Sequence, residues 1–224
     1  MTLRFPRLDI LPAAQGRLWP ELGPVKNCGF VLYGGTAIAL RLGHRASMDF
    51  DFFTDRNFQP DKLLEQFAFL ARASVLQEAP DTLTALVPVG IGKQEVKLSF
   101  FGGLNFGRLA DPTLTPDGVL EIASLDDLLA HKLKVILQRV EAKDYLDVDA
   151  MLLNGQKLAD GLAGAQALYP SRFPAQESLK ALTYFEGGDL RLLPGDTKKR
   201  LTQAASEVRG IATGRIVSAR LSER

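Results

Sequence analysis

Two aspartates stand one residue apart in the segment "SMDFDFF". Apolar and acidic residues alternate here, so a strand directs Asp49 and Asp51 to one face and the aromatic residues to the other. Carboxylates at i and i+2 lie about 7 Å apart at their Cα atoms, close enough to bind a divalent cation together. Magnesium, or manganese, prefers oxygen ligands and bridges to phosphates, so the pair predicts a metal site for phosphoryl or nucleotidyl transfer.

Two glycines precede this pair. Gly34 and Gly35 follow the apolar run "FVLY", which is typical of a buried strand. Thr36 is then expected to cap a helix from about residue 37 to 42, which Gly43 ends. Small residues before a helix let backbone N–H groups approach a phosphate. Taken alone, the two glycines indicate a turn, and the two aspartates indicate a solvated edge strand. Because strand, glycines, helix and acidic strand follow one another closely, the combination favours a site for a triphosphate and a metal.

The connection between the glycines and the aspartates carries further polar side chains. Arg45 either neutralises part of the acidic charge or contacts the nucleotide, and Ser47 either binds a phosphate or ends the loop. We assign neither residue a catalytic role. His44 is expected to be structural.

The periodicity of the chain predicts an α+β protein. A helix is expected over about residues 60–73, followed by strands near 74–78, 82–89 and 94–101, the last two joined by the turn "GIGKQ". Ser124 is expected to cap a helical run, and more helices are predicted near 158–169, 175–183 and 197–209. We divide the chain into an arm (1–23), a mixed-sheet lobe (24–122) and a helical lobe (123–224).

Cationic residues recur in the helical run after Ser124. Lys132, Arg139 and Lys143 are spaced by seven and four, so they share one stripe if the helix is continuous, and such a stripe suits triphosphate oxygens. Asp144 either caps a new helix after a bend or takes part in the site. His131 points away from its neighbour Lys132, so we expect a surface or interlobe residue rather than a general base.

The stretches "YGGTAIALRLGHRASMDFDFF" and "LLAHKLKVILQRVEAKDYLDV", in this order over roughly residues 30–155, resemble the AbiEii/AbiGii toxin family. These are nucleotidyltransferase-fold proteins of abortive-infection and type IV toxin-antitoxin systems. The resemblance implies a polymerase-β-like lobe, a magnesium-dependent reaction with a nucleoside triphosphate (NTP), a helical lobe that completes the cleft, and a cognate antitoxin as a partner. The residues it assigns to the cleft, besides the aspartate pair, are Lys132, Arg139, Lys143, Asp144 and Asp147.

One position departs from the pattern of polymerase-β-like transferases. Their third carboxylate is expected on the strand "EVKLSFF", and the matching residue is Ser99, which cannot replace that charge. Glu95 lies on the same face by alternation, so it is expected either as a third metal ligand or as an exposed hairpin residue.

Three functions remain open on these residues. The first is transfer of a nucleotidyl group from an NTP to a hydroxyl of RNA, protein or a small molecule. The second is a catalytically impaired nucleotide-binding or partner-binding protein of the same fold, which Ser99 favours. The third is a resistance transferase of the aminoglycoside type, although "KDYLD" fits the toxin family better.

Composition sets broader limits. The 224 residues carry a formal net charge of +1, which gives no global electrostatic reason for nucleic-acid binding. The basic C-terminal segment, residues 198–224, is either an RNA contact or a solvated surface. Cys28 is the single cysteine, and no run of about 18 apolar residues is present. We therefore expect a cytoplasmic protein with no membrane role.

Overall fold

The computed structural model describes residues 5–90 and 94–223. Seven strands form one mixed sheet, and helices accompany it, so the predicted α+β class is confirmed. The strands are β1 (Val31–Tyr33), β2 (Asp49–Phe53), β3 (Ser74–Ala79), β4 (Thr82–Pro88), β5 (Glu95–Phe101), β6 (Thr113–Leu114) and β7 (Glu121–Ile122). The turn expected at "GIGKQ" lies largely outside the described residues.

The helices begin and end as follows: α1 (Ala13–Leu18), α2 (Gly34–Leu42), α3 (Pro60–Gln66), α4 (Leu125–Val135), α5 (Ala142–Leu153), α6 (Leu158–Leu168), α7 (Ala175–Ala181) and α8 (Gly195–Glu207). Short 3₁₀ segments lie at Leu8–Ile10, Trp19–Cys28, Ala68–Leu70 and Leu190–Leu192. Within the described part of the chain, no helix combines the length and the apolar character needed to cross a membrane.

The sheet has the order β3-β4-β5-β2-β1-β7-β6. Strand β2 lies near its centre, antiparallel to β1 and parallel to β5. Phe50 and Phe52 on β2 are fully buried, and the ring of Phe52 stacks on that of Phe100 of β5 with 5.1 Å between centroids. A shift of β2 by one residue would bury the aspartates in their place, so the aromatic residues set the direction in which the carboxylates point.

The chain forms two compact units. The first unit contains the chain up to Gly107, Asp111–Ala123 and the residues from Ser218 onward, and the second contains Arg108–Ala110 and Ser124–Val217. Leu221, near the end of the chain, is fully buried, and its N–H donates to the Asp55 carboxylate at 2.9 Å. The sheet and α1–α3 therefore belong to the first unit, and α4–α8 to the second.

The predicted cap of α4 is confirmed. The Ser124 hydroxyl oxygen accepts a hydrogen bond from the Asp127 N–H at 3.0 Å, and its O–H donates to the Asp127 carboxylate at 2.6 Å. That carboxylate also accepts from the Leu109 N–H at 2.8 Å. Burial raises the pKa of Asp127, although these hydrogen bonds act in the opposite direction.

Two predicted helix boundaries are wrong. Helix α2 begins at Gly34 rather than after Thr36, because Tyr33 is extended and Gly34 already turns the chain with φ +71°. Helix α3 ends at Gln66 rather than near residue 73. Phe67 there adopts extended angles, φ −103° and ψ 109°, and is buried, so packing overrides the helical periodicity.

The single helical stripe after Ser124 is also absent. Helix α4 ends at Val135 and α5 begins at Ala142, so Lys132, Arg139 and Lys143 do not share one helix face. In a continuous helix, residues 132 and 144 would lie about 18 Å apart along the axis. Here Lys132 Nζ is 2.6 Å from Asp144 Oδ1, which requires the chain to turn between them.

Candidate functional site

The aspartate pair lies on the central strand of the sheet. In register, Asp51 is opposite Tyr33 of β1 on one side and Ser99 of β5 on the other, while Asp49 is opposite Lys97. Both aspartates are partly exposed. Because Tyr33 is the last residue of β1, Asp51 lies beside the point where the chain enters α2.

Gly34 makes this arrangement possible. Its φ of +71° is in the left-handed region, which residues with a Cβ rarely adopt. A Cβ at Gly34 would also overlap the Asp51 carboxylate and would lie 3.2 Å from its Cγ. The backbone at the start of α2 therefore lies directly against the second carboxylate of the pair.

Arg45 and Ser47, the other two polar residues predicted for the site, lie against Gly35. A Cβ at this position would meet both Arg45 Nη2 and Ser47 Oγ at 2.8 Å. The structure thus brings Gly34, Gly35, Arg45 and Ser47 together beside Asp51. The first N–H groups of a helix have no partners within the helix, so the N-terminus of α2 supplies anion-binding donors to this cluster.

Thr36 has a different position from the one predicted. It lies inside the first turn of α2, its side chain is buried, and its hydroxyl donates to the backbone carbonyl of Asp49. This contact joins the helix N-terminus to the strand that carries the aspartates. The hydroxyl of Thr36 therefore positions the pair, and its backbone N–H belongs to the donor set of α2.

Lys97 is the site residue that sequence reasoning did not select. Its Nζ lies 3.6 Å from Asp49 Oδ2, and the two side chains are 41% and 42% exposed. The alternation of "EVKLSFF" places Lys97 on the face of Ser99, but the strand register is needed to set it against Asp49. An exposed pair of this kind contributes little to stability.

The donor set fits one magnesium or manganese ion. Two carboxylates supply hard oxygen ligands, and such ions retain waters and share phosphate oxygens. Glu95 lies two residues before Lys97 and is opposite Pro88 of β4. Within residues 5–90 and 94–223, no three His, Cys, Asp or Glu side chains gather closely enough to hold a metal, so the ligand role of Glu95 stays a prediction.

The second unit contains a cluster of buried ion pairs. Lys132 Nζ lies 2.6 Å from Asp144 Oδ1 and 2.7 Å from Asp147 Oδ2, and both aspartate side chains are completely buried. Arg139 donates to Asp144 through Nε at 2.8 Å and Nη2 at 3.0 Å. This buried cluster, Lys132, Arg139, Asp144 and Asp147, connects α4 to α5.

The charge of Asp144 is stabilised within this cluster. Burial by itself favours the neutral acid, but the hydrogen bonds from Arg139 and the charge of Lys132 outweigh it, and the pKa of Asp144 is lowered. The carboxylate is therefore ionised at neutral pH, and it forms ion pairs with Lys132 and Arg139. The cap position of α5 is Glu141, so the helix-capping alternative for Asp144 is wrong, and its part in the site stays a prediction.

The cations of the helical segment differ in accessibility. The Lys132 side chain is only 7% exposed, whereas that of Arg139 is 45% exposed. Lys143 Nζ lies 2.7 Å from Glu141 Oε2, at the surface. The three cations that the sequence grouped therefore differ in burial rather than in partners, since Lys132 and Arg139 share Asp144. Arg139 is the member of the buried cluster with the most solvent contact.

His131 packs against Tyr169 within the second unit. Its Nδ1 lies 2.5 Å from the Tyr169 hydroxyl, and the two rings pack edge to face. Burial, assisted by the charge of Lys134, lowers the pKa of His131 to about 3. The ring is therefore neutral at physiological pH.

Proteins of similar sequence place the chain in a known family. A family model described as "Nucleotidyl transferase AbiEii toxin, Type IV TA system" matches residues 24–208. The chain belongs to this family. An uncharacterised protein of Aquifex aeolicus (strain VF5) is 36% identical to it over 121 residues. That match covers 53% of this chain and 55% of the relative, so the chain spans about half the length of this curated relative.

Two solved structures resemble this AbiEii-family chain in fold. An antigenic nucleotidyltransferase-like protein from Paracoccidioides brasiliensis has a TM-score of 0.55 and 16% identity, covering 91% of this chain and 97% of its own. The JHP933 protein from Helicobacter pylori has a TM-score of 0.53 and 16% identity, covering 87% and 94%. At such identities the likeness concerns the fold alone.

Proposed function

We propose that this AbiEii-family protein is a magnesium-dependent nucleotidyltransferase that uses an NTP. The observation that carries the proposal is the approach of Gly34 to Asp51. It places a carboxylate pair and the N-terminus of α2 side by side, where a Cβ would fill the space. A metal-binding group and a phosphate-binding group in contact are what transfer from a triphosphate requires.

In this proposal, different residues of the first unit bind the metal ion and the triphosphate. Asp49 and Asp51 would hold the ion, which supplies positive charge to the phosphate oxygens when bound. The N–H groups of Gly35 and Thr36 and the guanidinium of Arg45 donate to the triphosphate, and Ser47 is positioned to add a hydroxyl donor. An acceptor oxygen then attacks the α-phosphorus as the bond to pyrophosphate breaks.

In the second unit, we propose Arg139 as a triphosphate contact, because nearly half of its side chain is exposed. Lys132 fits such a contact less well, since it would have to leave two buried carboxylates. Its proposed role is to hold Asp144 and, through it, Arg139. The surface position of Lys143 permits a further contact with the nucleotide.

We propose RNA or a protein as the acceptor and a cognate antitoxin as the partner, on the strength of the family. The test is to incubate the pure protein with magnesium, each α-labelled NTP and total cellular RNA, and to look for label on RNA and on protein. We expect transfer that disappears in Asp49→Asn/Asp51→Asn. No transfer with any NTP and either acceptor would refute the enzyme.

One observation favours a second candidate, a protein that binds nucleotides without turnover. Ser99 is opposite Asp51 in the sheet, at the position where an acidic residue would supply the third carboxylate of the site. Binding of an NTP in the same incubation, without label on RNA or protein, would support this alternative.

A further inference from the structure

We propose that the site holds a single divalent cation and that the ammonium group of Lys97 takes the place of a second one. This inference rests on the proposed function and concerns the metal content of that site. It assigns a role to a residue that neither the family resemblance nor the carboxylate pattern selects.

The geometry comes from the pairing of two parallel strands. Residue by residue, β5 is in register with β2, so Lys97 is beside Asp49 and Ser99 is beside Asp51. Lys97 Nζ is 3.6 Å from Asp49 Oδ2, and Ser99 is buried with 3% of its surface exposed. At the positions of β5 that flank the aspartates, the strand therefore presents one positive charge and one neutral hydroxyl.

The charges that the protein itself supplies favour one ion over two. Two carboxylates carry as much negative charge as one magnesium ion carries positive charge. A second ion near Asp49 would need another acidic ligand and would meet the ammonium of Lys97 at short range, where repulsion between like charges is strong. Among the described residues, no group of three potential ligands supplies that acid.

The Lys97–Asp49 pair is not explained by stability. Both side chains are about two-fifths exposed, and such pairs contribute little to folding. The long stem of lysine lets its ammonium group move from a carboxylate to a phosphate oxygen. Lys97 therefore neutralises Asp49 in the free protein and is available to the triphosphate once nucleotide binds.

The test counts ions and nucleotides together by equilibrium dialysis. The whole chain is dialysed against Mn²⁺ and the α,β-methylene analogue of ATP, then those of CTP, GTP and UTP, and the excess of each component on the protein side is measured. We expect one Mn²⁺ for each bound nucleotide. In Lys97→Met, Mn²⁺ without nucleotide should bind about fivefold more tightly, because a competing charge is gone.

Lys62→Met, at an exposed lysine on α3, serves as the control and should leave Mn²⁺ affinity unchanged. Two Mn²⁺ per nucleotide, or an unaltered affinity in Lys97→Met, would overturn the inference while leaving the proposed function in place. Absence of both Mn²⁺ and nucleotide binding would instead refute the proposed function and this inference with it. Ser99→Asp combined with Lys97→Met should raise the ratio toward two.

Discussion

The backbone of Gly34 lies so close to the Asp51 carboxylate that no side chain fits between them. This contact brings the N-terminus of α2 to the strand that carries both aspartates. It combines a short-range requirement, φ of +71° at Gly34, with a long-range one, the antiparallel register that sets Tyr33 opposite Asp51. The site thus depends on one position at which only glycine satisfies both.

Gly34→Ala should weaken nucleotide binding at least tenfold with a limited loss of stability. The matched control is Gly118→Ala, because Gly118 has a similar φ of +72° but would place its Cβ in open space. Both variants should lose about 1 kcal/mol through backbone strain. In magnesium-dependent NTP titrations followed by calorimetry, only Gly34→Ala should lose at least tenfold in affinity. Equal affinities in the two variants would contradict the role of this contact.

Thr36→Val should weaken both the fold and the site. The valine keeps the shape of the side chain but loses the hydroxyl that donates to the Asp49 carbonyl, so the hydrogen bond between α2 and β2 is lost. We expect the free energy of unfolding in urea to fall by about 1–2 kcal/mol and magnesium affinity to fall with it. Thr36→Ser retains the donor and should keep the affinity; a serine variant as weak as the valine variant would exclude the hydroxyl as the cause.

Lys132→Met should strongly destabilise the second unit. The change leaves Asp144 and Asp147 buried with one of their cations removed, which costs about 3–5 kcal/mol in the free energy of unfolding. Lys180→Met is the control, because the Lys180 side chain is 74% exposed. Adding Asp144→Asn and Asp147→Asn to Lys132→Met should recover part of the loss. Normal stability in Lys132→Met, measured by urea unfolding, would argue against a structural role for the buried cluster.

The stability contributed by Asp144 should depend on pH. Its folded-state pKa is lowered, so its contribution is fully present above the unfolded-state pKa of about 4 and is lost as the pH falls toward the folded-state value. The difference in free energy of unfolding between the wild type and Asp144→Asn should therefore be constant near neutral pH and shrink below pH about 4. A difference that grows in acid would contradict the sign.

Local patterns predict strands β1–β5 and helix α2 of the first unit, but they do not predict the two-residue strands β6 and β7. The alternation around Asp49 and Asp51 predicts the strand, and Gly43, with φ +65°, ends α2 where expected. The start of the same helix was missed, because the cap pattern of Thr36 does not reveal that Gly34 has already turned the chain. Lys97 was missed as well, since its contact with Asp49 depends on which strands pair and in which register.

The helical segment shows the same limit at longer range. The spacing of Lys132, Arg139 and Lys143 predicts one stripe, but periodicity does not account for the ion pairs that form when the chain turns back. Lys132, Asp144 and Asp147 are buried, so their charges pair with one another instead of forming an exposed stripe. Asp144 pairs with Lys132 and Arg139 within its own unit, which no sequence spacing specifies.

The central claim is that Asp49 and Asp51 bind the metal through which an NTP is held. It is tested most directly by calorimetric titration of NTPs, with and without magnesium, into the wild type and Asp49→Asn/Asp51→Asn, with circular dichroism as the check on folding. We predict that the wild type binds an NTP only with magnesium and that the folded double variant does not bind. Magnesium-dependent binding that persists in the double variant would contradict the account.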